Sequence, residues 1–403
     1  MSPVVSPIMR LRPWLRAYAT RPRFLALAAF LFAGDLKADP RLAWFPVDLT
    51  LLTGTVLTGV LTLRWLRGAR LRGPWVAVLV GLWFLSFSPG LFQAARSDYA
   101  FQKVATIYTF SLLAALAPLL LVEEDGDRVR IMNAMACFCL AITIGGLLGG
   151  GQDAQAVQRL QAFGAGTISL GRATGLLFTY AALVLAGDTP LAGLSFGILV
   201  LAGVAALFSG SRGPILAAAV VVTLLLGAGR MPLGARVPRL VWVAGLFALV
   251  AGSSLSLAPR GSLLRVQAFF HGQYGASETY RANALREAWR LIPDAPWGIG
   301  WGGFATRVDP ERGLGRQYPH NLLAEVTLES GWICGITTLV ILMAAMAAAW
   351  SRSFLPGAQV ALAGVVFYLI NALVSGDLND NRPLFMFITS ALMSWDLPWR
   401  GAP

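Results

Sequence analysis

The sequence predicts an all-α polytopic membrane protein of about 12 transmembrane helices, with one long external loop containing an amphipathic helix. Three observations carry this. The chain is 56% hydrophobic and only 13% charged, too apolar for a water-soluble globule. Several runs approach the ~20 apolar residues that cross a bilayer. The alternation of apolar and polar residues expected of a membrane β-barrel is absent, which leaves helices.

Taken in order, spans are expected near 22–36, 48–66, 74–92, 103–122, 130–150, 173–187, 191–208, 214–229, 239–257, 320–349, 356–376 and 384–397. Arg10, Arg12, Arg16, Arg21 and Arg23 precede the first run. This could mimic a secretory signal, but no small-x-small cleavage site follows, so the run reads as an uncleaved first span. No internal repeat appears, and residues 1–403 read as one integral membrane domain. With the N-terminus inside, the short inside segments include RWLRGARLRG (64–73) and GRMPLGARVPR (229–239). Inside segments and their flanks hold roughly twice the Lys and Arg of the short outside loops, which orients both termini to the inside.

The long loop is residues 258–319, outside on this topology. It holds eight arginines and His271, and His320 follows it directly. Ser277 is placed to cap a helix that runs to about Leu291 and ends at Pro293. Ala282, Leu285, Trp289 and Ile292 recur at helical spacing on one face, with Arg281, Arg286 and Arg290 on others. Such a helix lies along the membrane surface or covers a cavity. The stretch PWGIGWGGF (296–304) follows, with glycines suited to close backbone approach.

The net charge of +12 has two readings: positive-inside bias, or an anionic substrate on one face. Nucleic acid is excluded as a partner, because no soluble basic domain exists to hold it. The cysteines Cys137, Cys139 and Cys334 show no metal-ligand spacing and no disulfide frame. No phosphate-binding Gly-rich Lys-Ser/Thr loop occurs. Asp377 and Asp380 in SGDLNDNRP (375–383) are expected in a solvated loop rather than on a metal. No cofactor is expected.

On the outer face the topology collects Lys103, Arg96, Arg159, Arg172, Arg212, Arg265, Arg281, Arg286 and Arg290. A planar guanidinium fork suits bidentate phosphate contacts, so several arginines on one face suit a diphosphate. Arg212 sits in the turn FSGSRGPIL (208–216) between apolar helices. It either faces an interior cavity or snorkels to headgroups. His320, in QYPHNLLAEV (317–326), lies at the mouth of a span beside Glu325 and Glu329. It either bonds a loop carbonyl or moves a proton near neutrality.

Three segments together, SGSRGPIL (209–216), YRANALREAWRLIPDAPWGIGWGGF (280–304) and YPHNLLAEVTLESGWICG (318–335), resemble the O-antigen ligase and polymerase superfamily. The resemblance spans roughly residues 170–376. Where the family pattern often reads His-Pro-His-Asn, this chain has Tyr318, Pro319, His320 and Asn321, so the first histidine is missing.

The resemblance implies a multi-pass glycosyltransferase of the bacterial inner membrane with its active site in a periplasmic loop region. The donor it implies is an undecaprenyl diphosphate-linked glycan, the acceptor a sugar of lipid A–core, and the setting a phospholipid membrane. His320 is then the general base, with Arg281 and Arg212 as the catalytic arginines. Arg265, Arg286, Arg172, Arg159, Lys103 and Asn321 are the expected substrate contacts, and no metal is required. The ligase reading is preferred. A polymerase of the same superfamily and a lipid or polysaccharide transporter are the alternatives. The transporter is disfavoured because polar groups cluster on one face and the spans show no paired halves.

Overall fold

The computed structural model describes residues 21–149, 151–152, 160–186, 192–228, 245, 275–308 and 316–396. Helices α1 (Pro22–Leu36), α2 (Leu49–Leu66), α3 (Pro74–Leu85) and the single turn α4 (Pro89–Phe92) come first. A long helix follows, made of α5 (Asp98–Thr106), a π-turn over Ile107–Ser111, and α6 (Leu112–Leu121). Next are α7 (Asp125–Gly149), a two-residue strand pair, α8 (Thr167–Ala186), α9 (Ala192–Ser209) and α10 (Arg212–Ala228). The rest comprises α11 (Ala276–Leu291), α12 (Gly303–Val308), α13 (Leu322–Ser330), α14 (Trp332–Ser351), α15 (Pro356–Val374) and α16 (Arg382–Leu392).

Among the described residues, seven helices are long and apolar enough to cross a membrane: Leu49–Leu66, Pro74–Phe92, Asp98–Leu121, Asp125–Leu148, Thr167–Leu185, Trp332–Ser351 and Pro356–Val374. The chain is thus an all-α multi-pass membrane protein. The expected spans at 191–208 and 214–229 are the shorter apolar helices α9 and α10. The span expected at 22–36 is the 15-residue α1, with Phe24, Leu27, Phe30 and Leu31 buried. The span expected at 239–257 lies outside the described residues.

Local chemistry fixes many helix starts. Proline stands in the first turn of α1, α3, α4 and α16, where its missing N–H costs nothing. Ser97 caps α5, its hydroxyl accepting from Ala100 N at 3.2 Å. Pro118 stands inside α6.

Two expectations are corrected. The run 320–349 is not one helix: Gly331 breaks it into α13 and α14 at φ 93°. A Cβ there would lie 2.6 Å from the Pro296 carbonyl, and Trp332 N donates to that same oxygen at 2.9 Å. The run expected at 384–397 is the 11-residue α16 followed by a 3-10 turn.

The chain divides into two compact units, each assembled from three stretches, so no sequence boundary announces them. The first unit holds Met1–Leu63, Leu121–Ser262 and Ser353–Ala363. There Asp127, nearly fully buried, accepts from Arg23, Arg130 and the Glu123 amide, tying α1 to the start of α7. Gly357 N donates to Asp125 at 2.7 Å. The second unit holds Arg64–Leu120, Leu263–Arg352 and Gly364–Pro403. Its core includes the rings of Trp83, Phe84, Phe87 and Phe385, with the Trp83 indole donating to Thr338 at 2.9 Å.

Candidate active site

The second unit builds its polar centre around α13. Asn321 caps this helix: its side-chain oxygen accepts from Ala324 N at 3.0 Å, and its amide donates to the Leu373 carbonyl at 3.1 Å. That anchors the residue following His320. His320 itself has φ 57°, a left-handed conformation that costs a non-glycine residue about 1 kcal/mol or more. Such a backbone persists only where its surroundings fix it.

Those surroundings are aromatic on two sides. The Tyr318 ring lies 4.2 Å from the His320 ring, and Tyr280, from α11, meets it edge-on at 5.8 Å. Nδ1 of His320 is buried and has no hydrogen-bond partner among the described residues. The expected bond to a loop carbonyl is therefore not made at this atom. Burial pushes the imidazole's pKa down to about 4; Arg281 and Arg316 push the same way, and Asp380 opposes them. At neutral pH the ring is uncharged.

Arg316, not singled out from the sequence, closes the near side. Its Nε donates to Asp377 Oδ2 at 3.0 Å and its terminal nitrogen to Asp380 Oδ2 at 2.7 Å. Its guanidinium lies 5.6 Å from the Tyr318 ring centre. Asp377 is 0% exposed and so is not in a solvated loop; its carboxylate also receives the Tyr99 hydroxyl at 3.3 Å. Burial, and then Asp380, raise its pKa from the ordinary carboxylate value.

Deeper in the unit, Lys103 is 0% exposed and pairs with Glu325 and Glu329, each at 2.5 Å. Both glutamates are also 0% exposed. They are four residues apart on one face of α13, turned to Lys103. Glu325 additionally accepts from Leu378 N at 3.1 Å. An ammonium so enclosed holds α5 to α13.

The glycine stretch after α11 supports this centre by backbone contact. Gly300 N donates to the Glu329 carbonyl and Ile299 N to that of Leu328. Trp301 N donates to Gly90 O, and Ala95 N to Trp301 O. A Cβ at Gly300 would fall on the Gln93 carbonyl, and Gly300 sits at φ 85°. The glycines are therefore required for close approach, as the sequence suggested.

Helix α11 exists close to where it was expected, but two details differ. Gly275 rather than Ser277 precedes its first turn. Its buried face is Ala284 and Ala288, continued by Ile292 in the following 3-10 turn and packed with Ala295, Phe304, Ala324 and Leu328; of the expected face, Leu285 is partly buried against this cluster, while Ala282 and Trp289 are exposed. The small side chains allow close packing on α13; the tryptophan is left outside. Arg281 is half-buried, and among the described residues no carboxylate pairs with it. Arg286 is exposed and donates to Asn283 at 2.7 Å.

Within the first unit, Ser211 joins α10 to α8: its hydroxyl donates to the Thr167 carbonyl at 2.8 Å. A Cβ on Gly171 would lie 2.5 Å from Ser211 Cβ, so these two turns touch. Arg172 and Arg212 each follow a residue of that contact. Arg212 opens α10 and is exposed. Arg159 and Arg265 lie outside the described residues, as does His271.

Residues 197–339 match the family model described as O-antigen ligase. The match covers about a third of the chain and encloses all three segments that carry the resemblance seen in the sequence. It supports placement in the O-antigen ligase and polymerase superfamily. No curated protein matches the chain.

Proposed function

We propose that the protein is an O-antigen ligase, a membrane glycosyltransferase that moves a glycan from undecaprenyl diphosphate to a sugar of lipid A–core on the periplasmic face. The observation that carries the reading is His320: neutral, set between two tyrosine rings, with an unpartnered buried nitrogen among the described residues, inside the span matched by the ligase family. A neutral imidazole takes the proton of the attacking hydroxyl. The acceptor oxygen bonds to the anomeric carbon as the bond to the diphosphate oxygen breaks, with inversion. Negative charge gathers on the departing diphosphate, and a guanidinium lowers the barrier by meeting it. Arg281, beside His320 and without a carboxylate among the described residues, suits that role.

Arg212 as a catalytic residue, and Arg172, Arg286, Arg159 and Arg265 as diphosphate contacts, rest on the resemblance and on residue type. Asn321 acts through its capping bonds, and Lys103 through its two glutamates, rather than on the substrate. The test is transfer by the purified protein from glycan-linked undecaprenyl diphosphate to lipid A–core, with chelator present. Wild type should label lipid A–core, and His320→Ala should not. Longer carrier-linked chains instead would make the protein a polymerase. Undiminished transfer by folded His320→Ala removes the histidine from the chemistry.

A further inference from the structure

We propose that the Arg316–Asp377–Asp380 clamp is a positioning device for His320, in which the two carboxylates hold Arg316 and Arg316 holds the imidazole in place through the Tyr318 ring. The proposal rests on His320 acting as the base. The left-handed backbone at His320 must be fixed from both sides. On the C-terminal side Asn321 does this through Ala324 and Leu373. On the N-terminal side the only ion-paired residue within the described stretch 316–319 is Arg316.

Arg316 reaches two carboxylates at once, and that of Asp377 is itself held. Asp377 accepts from the Asp380 amide at 3.2 Å, and its own carbonyl accepts from Asn381 Nδ2 at 2.7 Å. The Tyr99 hydroxyl holds the buried carboxylate from α5. Exposed single ion pairs contribute little, but a guanidinium forked between two acids, one of them buried and held, keeps one geometry. The order then passes from Arg316 to the Tyr318 ring, and from that ring to His320.

The same residues set the field at the imidazole. The charged groups acting on it are Arg281 from α11, Arg316 from its own stretch, and Asp380 from the turn after α15; Tyr280 and Tyr318 supply its aromatic walls. Arg316 disfavours the imidazolium and Asp380 favours it. Removing either charge should therefore move the proton affinity of His320 in opposite senses. A merely structural clamp behaves differently. Loosening it from either end would expose the ring, and both variants would drift up towards an ordinary histidine.

The chain has only two histidines, so His271→Gln leaves His320 alone. In that background, carbethoxylation of His320 by diethyl pyrocarbonate is followed by mass spectrometry between pH 3 and 7. The full chain is used in detergent, with folding checked by gel filtration. Reaction follows the neutral imidazole. Arg316→Gln should raise the midpoint and slow modification most clearly near pH 4, Arg316→Lys should restore much of the parental profile, and Asp380→Asn should leave the midpoint at or below the parental one. A rise in both Arg316→Gln and Asp380→Asn, or no change in Arg316→Gln, overturns the proposal. This readout needs no glycan, so it fails or succeeds separately from the transfer assay on His320→Ala.

Discussion

Lys103→Met offers the sharpest test of the buried charge centre. The ammonium lies 2.5 Å from each of Glu325 and Glu329, and all three side chains are 0% exposed. Methionine keeps the length and removes the charge, leaving two carboxylates without a cation. Breaking a buried pair costs roughly 3–5 kcal/mol. Each kcal/mol lowers the melting temperature by roughly 2–4 °C in a unit of the size assembled here, so the expected fall is roughly 6–20 °C. Cys334 is buried in α14 of the same unit and reports its opening. With Cys137 and Cys139 changed to serine, a thiol-reactive dye followed on heating should label Cys334 at a correspondingly lower temperature. Adding Glu325→Gln and Glu329→Gln to Lys103→Met should recover much of the loss, because the orphaned charges are gone. The reasoning is refuted if Lys103→Met melts within a degree or two of wild type yet loses transfer. That result would return Lys103 to the substrate.

Two further outcomes follow from the same geometry. With its pKa pushed down to about 4, His320 stays neutral well below pH 6.5. At pH 5.5 such a group is about 97% neutral, against about a tenth for an unperturbed imidazole. Transfer should therefore hold nearly its full rate at pH 5.5 and fall only nearer pH 4; an acid limb at 6.5 would contradict this environment for the ring. Gly300→Ala places a Cβ on the Gln93 carbonyl in a positive-φ backbone, and the variant should accumulate poorly and melt early. Gly59→Ala, in α2 with nothing within 4 Å, should be neutral or gain up to about 1 kcal/mol of helix stability, so equal melting of the two variants would refute the close-approach argument.

The helical membrane character was legible because composition and run length act residue by residue. The break at Gly331 was not, because Leu, Val, Ile and Trp on either side read as one apolar run. The available signal was the pair Glu325 and Glu329: two acids four apart on an apolar helix require a cation facing them. Lys103, the sole lysine of its apolar run, was that cation, and its charge alone read as a substrate contact. Arg316 and Asp377 carried no signal, being 61 residues apart and joined only by the fold. The face of α11 was assigned by hydrophobicity, which ranks Trp289 above Ala284 and Ala288. Close packing against Ala324 and Leu328 favours the small residues instead.

What distinguishes a functional cation from a structural one in this unit is the charge opposite it. Lys103 faces two carboxylates, and Arg316 faces two more. A diphosphate approaching either would have to displace acids that the fold itself holds. Arg281 differs: it acts on His320 and meets no carboxylate among the described residues. An anion gains most from the cation whose charge is unspent. On the proposed reading, paired cations hold α5, α13 and the histidine stretch in register, while a guanidinium with no carboxylate among the described residues stands next to the neutral base. Proton removal and charge stabilisation need those two groups adjacent, and they need the remaining positive charge kept off the imidazole. Asp380 opposite Arg316 serves that second requirement, because a bare guanidinium at that position would suppress protonation of His320 still further and weaken it as a base.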